Sequence, residues 1–338
     1  MSLTENLLAL VLPHEIGTRC LVLAIALGLD AALGEPPWLW RHLPHPVVVF
    51  GRAISMMERR GNRRRFRART RRRIGFSGII GLVLLSLMAG LAIMSLSALG
   101  GTALTLMVEM LLIAILLAGR SLDEHVRAVA MALREGNLQA ARRAVSMIVG
   151  RNPDSLDEHA IARAGIETTA ENLSDGVIAP ALFYLAGGLP GILAYKMINT
   201  ADSMIGYKSA RYLAFGWGAA RMDDLANLVP ARLTGCLLSM AVPSRLTQAV
   251  KVMWRDAGHH RSPNAGWPEA AMAAVLDVAL AGPRRYGVKM TSDRPMHAEG
   301  RREATPQDVL DGLKVMWRAI ALFILILLIT GLALILPG

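Results

Sequence analysis

The sequence predicts an all-α, polytopic integral membrane protein with about four to six transmembrane or re-entrant helices and additional cytoplasmic helices. Three observations lead there. Hydrophobic residues make up 53% of the 338 while aromatics make up 5%, more aliphatic surface than a water-soluble protein of this size usually carries. Several runs are long and uncharged enough to cross about 30 Å of hydrocarbon. Ten arginines crowd into residues 59–73, directly before the longest such run, and a basic block against an apolar span marks a cytoplasmic flank on anionic lipid. The net charge of +11 would suit nucleic acid, but its placement beside an apolar span assigns it to the lipid bilayer, and no nucleic-acid partner is expected.

The elements follow in chain order. Residues 20–34 are short for a span and contain Asp30; they are read as one, either a short helix or part of a longer one starting near Leu7. Residues 74–99 are uncharged. Residues 102–119 follow after only Gly100-Gly101, with Glu109 as their single charge, so the two runs form an antiparallel hairpin. Residues 319–336 are the last span. The chain divides into an N-terminal membrane segment with its basic loop (1–73), the hairpin (74–119), a catalytic helical region with broken membrane segments (120–300) and a C-terminal span (301–338). With 59–73 in the cytoplasm, residue 120 onward also starts there. Arg142, Arg143, Arg284, Arg285, Arg301 and Arg302 agree with that side. The expected location is the bacterial inner membrane, multi-pass, with the active region facing the cytoplasm. The first residues lack a basic stretch and carry Glu5, so no cleavable signal peptide is expected. Cys20 and Cys236 lie far apart, which fits neither a disulfide framework nor a zinc site.

In the middle region, Ser155 to Glu158 after Pro153 reads as a capping box starting a helix that runs towards Asn172 and stops near Asp175-Gly176. Residues 177–195 are apolar but interrupted by Pro180, Gly187-Gly188 and Pro190-Gly191, which predicts a span or, equally, a re-entrant or interrupted helix pair. Residues 225–242 are partly apolar around Arg232.

Three polar clusters interrupt this apolar sequence. Arg163, Glu167, Glu171 and Asp175 recur every four residues and stack on one helical face. An Arg163–Glu167 surface ion pair is the plain reading, yet the stripe runs straight into a hydrophobic segment. Lys196, Asn199, Asp202 and Ser203 share a second face, with Lys208 and Arg211 adding positive charge suited to phosphate. Ionisable groups at the edge of an apolar stretch are expensive, which points to function; snorkelling explains Lys196 alone. Arg221, Asp223, Asp224, Asn227 and Arg232 form the third. Paired acids with an amide one turn on can hold Mg²⁺ through oxygen, although D-D-x-x-N is a short motif. Gly206 to Ser209 resembles part of a phosphate loop without completing it. His45, His297 and His259-His260 have no partners at metal spacing and read as structural. The residues alone give a membrane protein with acids and amides for a divalent metal and Lys/Arg for phosphate.

The order and spacing of the blocks resemble the adenosylcobinamide-phosphate synthase family, the membrane amide ligases of cobalamin biosynthesis. The blocks are Asp30 with Gly34-Glu35-Pro36, His45-Pro46-Val47 with Gly51, Gly150-Arg151, the Arg163 to Gly176 stripe including Asn172, and Ala179-Pro180. They continue through Tyr195-Lys196, Asn199 to Met204, Gly206-Tyr207-Lys208, Asp223-Asp224-x-x-Asn227, Pro230-Ala231-Arg232 and Ser262 to Gly266. The likeness covers roughly residues 25–290. Glu35 and Asn152 depart from the usual aspartates.

The resemblance implies an ATP- and Mg²⁺-dependent amide bond between adenosylcobyric acid and aminopropanol phosphate or a close aminoalcohol analogue. In the assignment this supports, Asp223, Asp224 and Asn227 hold Mg²⁺-ATP, and Lys196, Lys208 and Arg232 bind phosphates. Glu167 or Glu171 is the general base, and Asp202 a second metal or base candidate. Arg163, Asn172, Asp175, Asn199, Ser203 and Asn264 complete the substrate-binding set. Homo-oligomerisation, or assembly with other proteins of the pathway, goes with a membrane setting for this step. Two rivals stand beside it: a Mg²⁺-dependent membrane phosphoryl- or prenyl-transferase, and a signalling or transport protein whose buried charges line a pathway.

Overall fold

A computed structural model describes residues 16–34, 40–42, 44–149, 156–282 and 294–336, with the backbone alone for 285–286 and 289–290. Leu7, Glu35, Pro36, Gly150 to Asn152, Ser155 and Arg284 lie outside the described residues. The chain is all-α. Helices α1 (Ile16–Leu33), α2 (Pro46–Gly61), α3 (Ala68–Ala98) and α4 (Thr102–Leu116) come first. They are followed by α5 (Gly119–Arg134), α6 (Leu138–Ser146), α7 (Glu158–Leu173) and α8 (Ala179–Ile205). Next are α9 (Trp217–Ala226), α10 (Leu228–Met240), α11 (Leu246–Asp256) and α12 (Gly266–Leu276), and α13 (Pro306–Ile335) closes the chain. Between α12 and α13, β1 (Leu280–Ala281) pairs antiparallel with β4 (Pro295–Met296), and β2 (Arg285–Tyr286) with β3 (Lys289–Met290).

Among the described residues, five segments are long and apolar enough to cross a membrane: α1, α3, Thr102–Arg134 through α4 and α5, Glu158–Ile205 through α7 and α8, and α13. Their surroundings differ. In α3 and α13 only 22% and 28% of the most apolar stretch is buried, against 72% in Glu158–Ile205. Leu84, Leu85, Met88, Ile329 and Leu332 are all exposed, which is the outward apolar surface a helix offers to lipid. The polar clusters of α7 and α8 therefore sit on helices the protein encloses.

The described residues form two compact units. The first draws on Met1–Leu117, Ala179–Ala226 and Leu327–Gly338, the second on Ala118–Ile178 and Asn227–Ile326. At the centre of the first, α8 packs against α1, α2, α3, α4 and α9. Small residues allow close approach where no hydrophobic drive acts between helices in lipid. A Cβ on Gly90 of α3 would sit 2.6 Å from the Pro190 backbone of α8, and one on Gly17 of α1 would sit 2.8 Å from Ile335. The interruption expected in residues 177–195 is real: Gly188 has φ +61° inside α8, and Pro190 follows. Such a break frees a carbonyl of the preceding turn, and the buried Arg19 guanidinium donates to the Leu185 carbonyl at 3.1 Å. Glu109, the single charge of α4, is buried and accepts from the Tyr184 hydroxyl at 2.8 Å.

The basic block and its neighbours are tied into the first unit. Arg72 stacks over Trp217 at 3.6 Å, Arg71 donates to Asn62 Oδ1, and Arg211 makes a bidentate pair with the buried Glu58 at 2.9 and 3.0 Å. The Arg211 guanidinium, helped by Asn62, holds the Glu58 carboxyl below the usual carboxylate range against the opposing pull of burial.

In the second unit, α5, α6 and α7 pack on one another, and α12 packs on α7, α10 and α11. Leu122, Val126, Val129 and Leu133 line the buried face of α5 at helical spacing. The described N-cap of α7 is Asp157, whose side chain accepts from the Ala160 N–H at 2.7 Å. At its other end the helix does not stop near Asp175, as the glycine there led us to expect. Ser174–Ile178 forms a π-helical turn that leads directly into α8.

Candidate functional site

The second half of α8 carries the polar stripe of the first unit. Lys196 is 7% exposed, Asn199 and Asp202 are half-buried, and Ser203 is exposed. Helical spacing stacks them, and Asn199 Nδ2 reaches Asp223 Oδ1 on α9 at 3.4 Å. That contact brings Asp223 of the third sequence cluster to the second, although 24 residues separate the two side chains. Asp224 lies 3.4 Å from Arg221 on the surface of α9. At the end of α8, the Gly206 N–H bonds the Asp202 carbonyl at 2.7 Å, and a Cβ on Gly206 would collide with the Asp202 carboxylate. A Cβ on Gly216 would strike the Ile205 carbonyl, so both glycines are needed for the loop bearing Lys208 to close on the helix. Lys208 itself is exposed.

In the second unit the α7 stripe extends from Arg163 to Glu171 before the π-turn changes its phase at Asp175. Arg163 donates to the Arg302 carbonyl at 2.7 Å. The buried Glu167 accepts from the Ala281 N–H at 2.8 Å, so each end of the expected ion pair is engaged with backbone. Glu171 and Asn172 are exposed, and Asn172 Nδ2 donates to the Thr168 carbonyl at 3.1 Å. A cavity of about 280 Å³ opens beside this face, lined by Ser121, Leu122 and His125 of α5, Met147 and Ile148 after α6, and Thr168, Asn172 and Gly176. Asn227, buried at 1%, precedes α10. Arg232 stacks over Trp267 at 4.4 Å and donates to the Leu228 carbonyl. Asn264 is buried in a turn where Ser262 Oγ accepts its backbone N–H at 3.2 Å. Among the described residues, no group of three His, Cys, Asp or Glu side chains converges as a metal site.

A charged network in the second unit escaped sequence reading. The buried His297 donates from Nε2 to Asp277 Oδ1 at 2.8 Å, and its backbone N–H donates to Asp256 Oδ2 at 2.8 Å. Arg255 bridges Asp256 and Glu299 through four hydrogen bonds of 2.7–2.9 Å. Asp277, Ala281 and His297 all have φ between +51° and +57°, a conformation that costs non-glycine residues. The His297 ring, against the opposing pull of burial, holds the Asp277 carboxyl below its usual range, with Arg245 helping. Burial works to raise Asp256, yet Arg255 and the His297 N–H outweigh it and hold it low; Arg255 does the same for Glu299. Partners 20 and 41 residues away leave no local pattern in the sequence. His45, by contrast, is the helix cap its place before Pro46 indicates, with Nδ1 accepting from the Val47 N–H at 3.2 Å.

Comparison with known proteins places these residues in a lineage. The family model described as "CobD/Cbib protein" matches residues 23–316, which takes in every candidate residue of both units. The Brucella anthropi protein named "Cobalamin biosynthesis protein CobD" is 50% identical over 309 residues, covering 90% of this chain and 94% of that one. Proteins of the same name from Rhizobium meliloti and Rhodobacter capsulatus are 48% and 43% identical, covering 88% and 89% of this chain and 93% of each relative. No solved structure matches. With a family match over most of its length and relatives at this identity, the chain belongs to the CobD/Cbib protein family.

Proposed function

We propose that the protein acts in cobalamin biosynthesis as an ATP-dependent ligase, joining the carboxylate of adenosylcobyric acid to the amine of (R)-1-amino-2-propanol O-2-phosphate to give adenosylcobinamide phosphate. The observation that carries the reading is the convergence of Lys196, Asn199, Asp202 and Asp223 in the enclosed part of a chain of this family. Neither a lipid-facing surface nor a packing core calls for that set.

Amide formation from a carboxylate needs a better leaving group than oxide. In the proposed reaction a carboxylate oxygen attacks the γ-phosphorus of ATP, giving an acyl phosphate and ADP. The amine, once deprotonated, attacks the acyl carbon, and inorganic phosphate leaves with the bridging oxygen. Lys196 neutralises charge on the transferring phosphoryl group, where a fixed cation in an enclosed site acts most strongly. Lys208, on the loop that Gly206 and Gly216 close, reaches for the outer phosphates.

The donor set suits Mg²⁺. Asp223 and Asp224 offer carboxylate oxygens, and Asn199 orients the first, which matches an ion that takes a few protein oxygens and keeps waters and phosphate as its other ligands. When bound there, Mg²⁺ would neutralise and orient the ATP phosphates. The remaining work falls to protein side chains: in the second unit Arg232 and Asn264 are assigned to substrate, and a base accepts the ammonium proton. The active region faces the cytoplasm, where ATP is available.

Purified, detergent-solubilised protein with adenosylcobyric acid, aminopropanol phosphate, ATP and Mg²⁺ should yield the amide by mass spectrometry, and leaving out any one component should abolish it. Amide formed without ATP, or folded protein that forms none, would defeat the reading.

A further inference from the structure

The cavity of the second unit holds four polar side chains with unused hydrogen-bonding capacity. His125 lies 2.7 Å from the Ser121 carbonyl through Nδ1. A carbonyl can only accept, so Nδ1 carries a proton, which makes Nε2 the ring nitrogen able to accept one. Thr168 is 6% exposed, yet its hydroxyl bonds no described residue, whereas that of the adjacent Thr169 returns to the Gly165 carbonyl at 2.7 Å. Asn172 commits Nδ2 to the Thr168 carbonyl, which leaves Oδ1 as an acceptor. The Ser121 hydroxyl is likewise without a bond among the described residues. All four line one space of about 280 Å³ with Leu122 and Met147 as apolar walls.

The geometry points to this cavity as the place where the primary ammonium group of the small amine substrate binds, with His125 Nε2 accepting the proton that group must lose. Two fixed acceptors and two adaptable hydroxyls match a group with three N–H donors and a positive charge. The volume falls just below the usual range of ligand sites, about 300 to 1,000 Å³; it suits a three-carbon amino alcohol phosphate and not a corrin ring. The π-helical turn beneath the cavity, with the Gly176 carbonyl held by the Ala118 N–H at 3.1 Å, is a backbone feature frequent at functional sites. The proton balance is simple: R–NH₃⁺ and neutral imidazole become R–NH₂ and imidazolium, freeing the nitrogen lone pair for attack. This gives His125 the role for which sequence spacing offered Glu167 or Glu171; Glu167 is buried with the Ala281 N–H already on its carboxylate.

The inference rests on the ligase reading for its chemistry, and two measurements on the full-length protein in detergent separate them. Calorimetric titration with aminopropanol phosphate, against the analogue bearing methyl in place of ammonium, reads the cavity without turnover. The amine should bind at least about tenfold tighter, and N172L or T168V should erase that preference. For turnover, H125A should lower kcat by about 100-fold or more with KM changed little, remove the acid limb of the pH–rate profile, and recover part of kcat in added imidazole; H125Q should behave as H125A does. Discrimination that survives N172L and T168V, or H125A with unaltered kcat and pH profile, would overturn the inference. Wild-type protein that discriminates the amine but forms no amide would sink the ligase reading and leave the ammonium site standing.

Discussion

The polar residues of the two units are held in different ways. In the first, Lys196, Asn199 and Asp202 lie on one enclosed helix at three-residue steps, and Asn199 meets Asp223 of the neighbouring helix at 3.4 Å. In the second, Asp256, Arg255, His297 and Asp277 are joined by hydrogen bonds of 2.7–2.9 Å drawn from segments far apart in sequence. Charge gathered along one face of an apolar, enclosed helix is costly to fold and is expected to answer to a ligand. A network of short bonds between distant segments instead fixes the path of a chain that three left-handed residues would otherwise strain. The first arrangement is the one to which we assign binding, and the second ties the fold together.

Substitutions should separate the two. K196M and D223N should each lower kcat by about 100-fold or more, the scale of a lost charge-stabilising group, while the thermal midpoint holds or rises. A fall in midpoint without loss of turnover would make the α8 stripe structural. D256N should do the reverse, destabilising by about 2 kcal/mol through lost charge-assisted bonds to Arg255 and the His297 N–H. Turnover per folded molecule should stay within about twofold, as checked by denaturant unfolding beside the assay.

Acid sharpens the contrast. Asp256, Asp277 and Glu299 are held below the usual carboxylate range when folded. The unfolded chain therefore binds more protons in that window, so their contribution is complete above the unfolded value of about 4 and is lost as pH falls through the folded values. The thermal midpoint should drop steeply below about pH 4 in wild type and less steeply in D256N. Glu58, held low by Arg211, adds the same sign in the first unit. The smallest effects belong to single backbone and surface features. G188A places a side chain at φ +61° and should cost about 1 kcal/mol. R72A loses a stacked cation worth about 0.5–1 kcal/mol. Equal midpoints for G188A and wild type would mean that α8 straightens at no cost.

What the sequence disclosed follows the same division. Apolar runs, the Gly100-Gly101 hairpin and the break at Gly188 were legible because each is a local property: length against hydrocarbon thickness, or a glycine where φ turns positive. The α8 stripe was legible because helical periodicity alone places Lys196, Asn199 and Asp202 together. The π-turn at Ser174–Ile178 was hidden, since one extra residue in a turn leaves no composition signal, and Asp175-Gly176 resembled a stop. The His297 network and the pairing of Ser121 and His125 with Thr168 and Asn172 depend on tertiary packing across 20 or more residues. Histidines that read as structural or went unremarked by spacing turned out to differ: His45 caps a helix, His297 holds two acids, and His125 faces a cavity.

The most direct test of the ligase chemistry follows one atom. Adenosylcobyric acid labelled with ¹⁸O in the reacting carboxylate, incubated with the protein, ATP, Mg²⁺ and aminopropanol phosphate, should give amide and transfer one ¹⁸O per turnover to inorganic phosphate. Amide formed with unlabelled phosphate would contradict activation of the carboxylate by ATP, and with it the phosphoryl-transfer roles of Lys196 and Asp223.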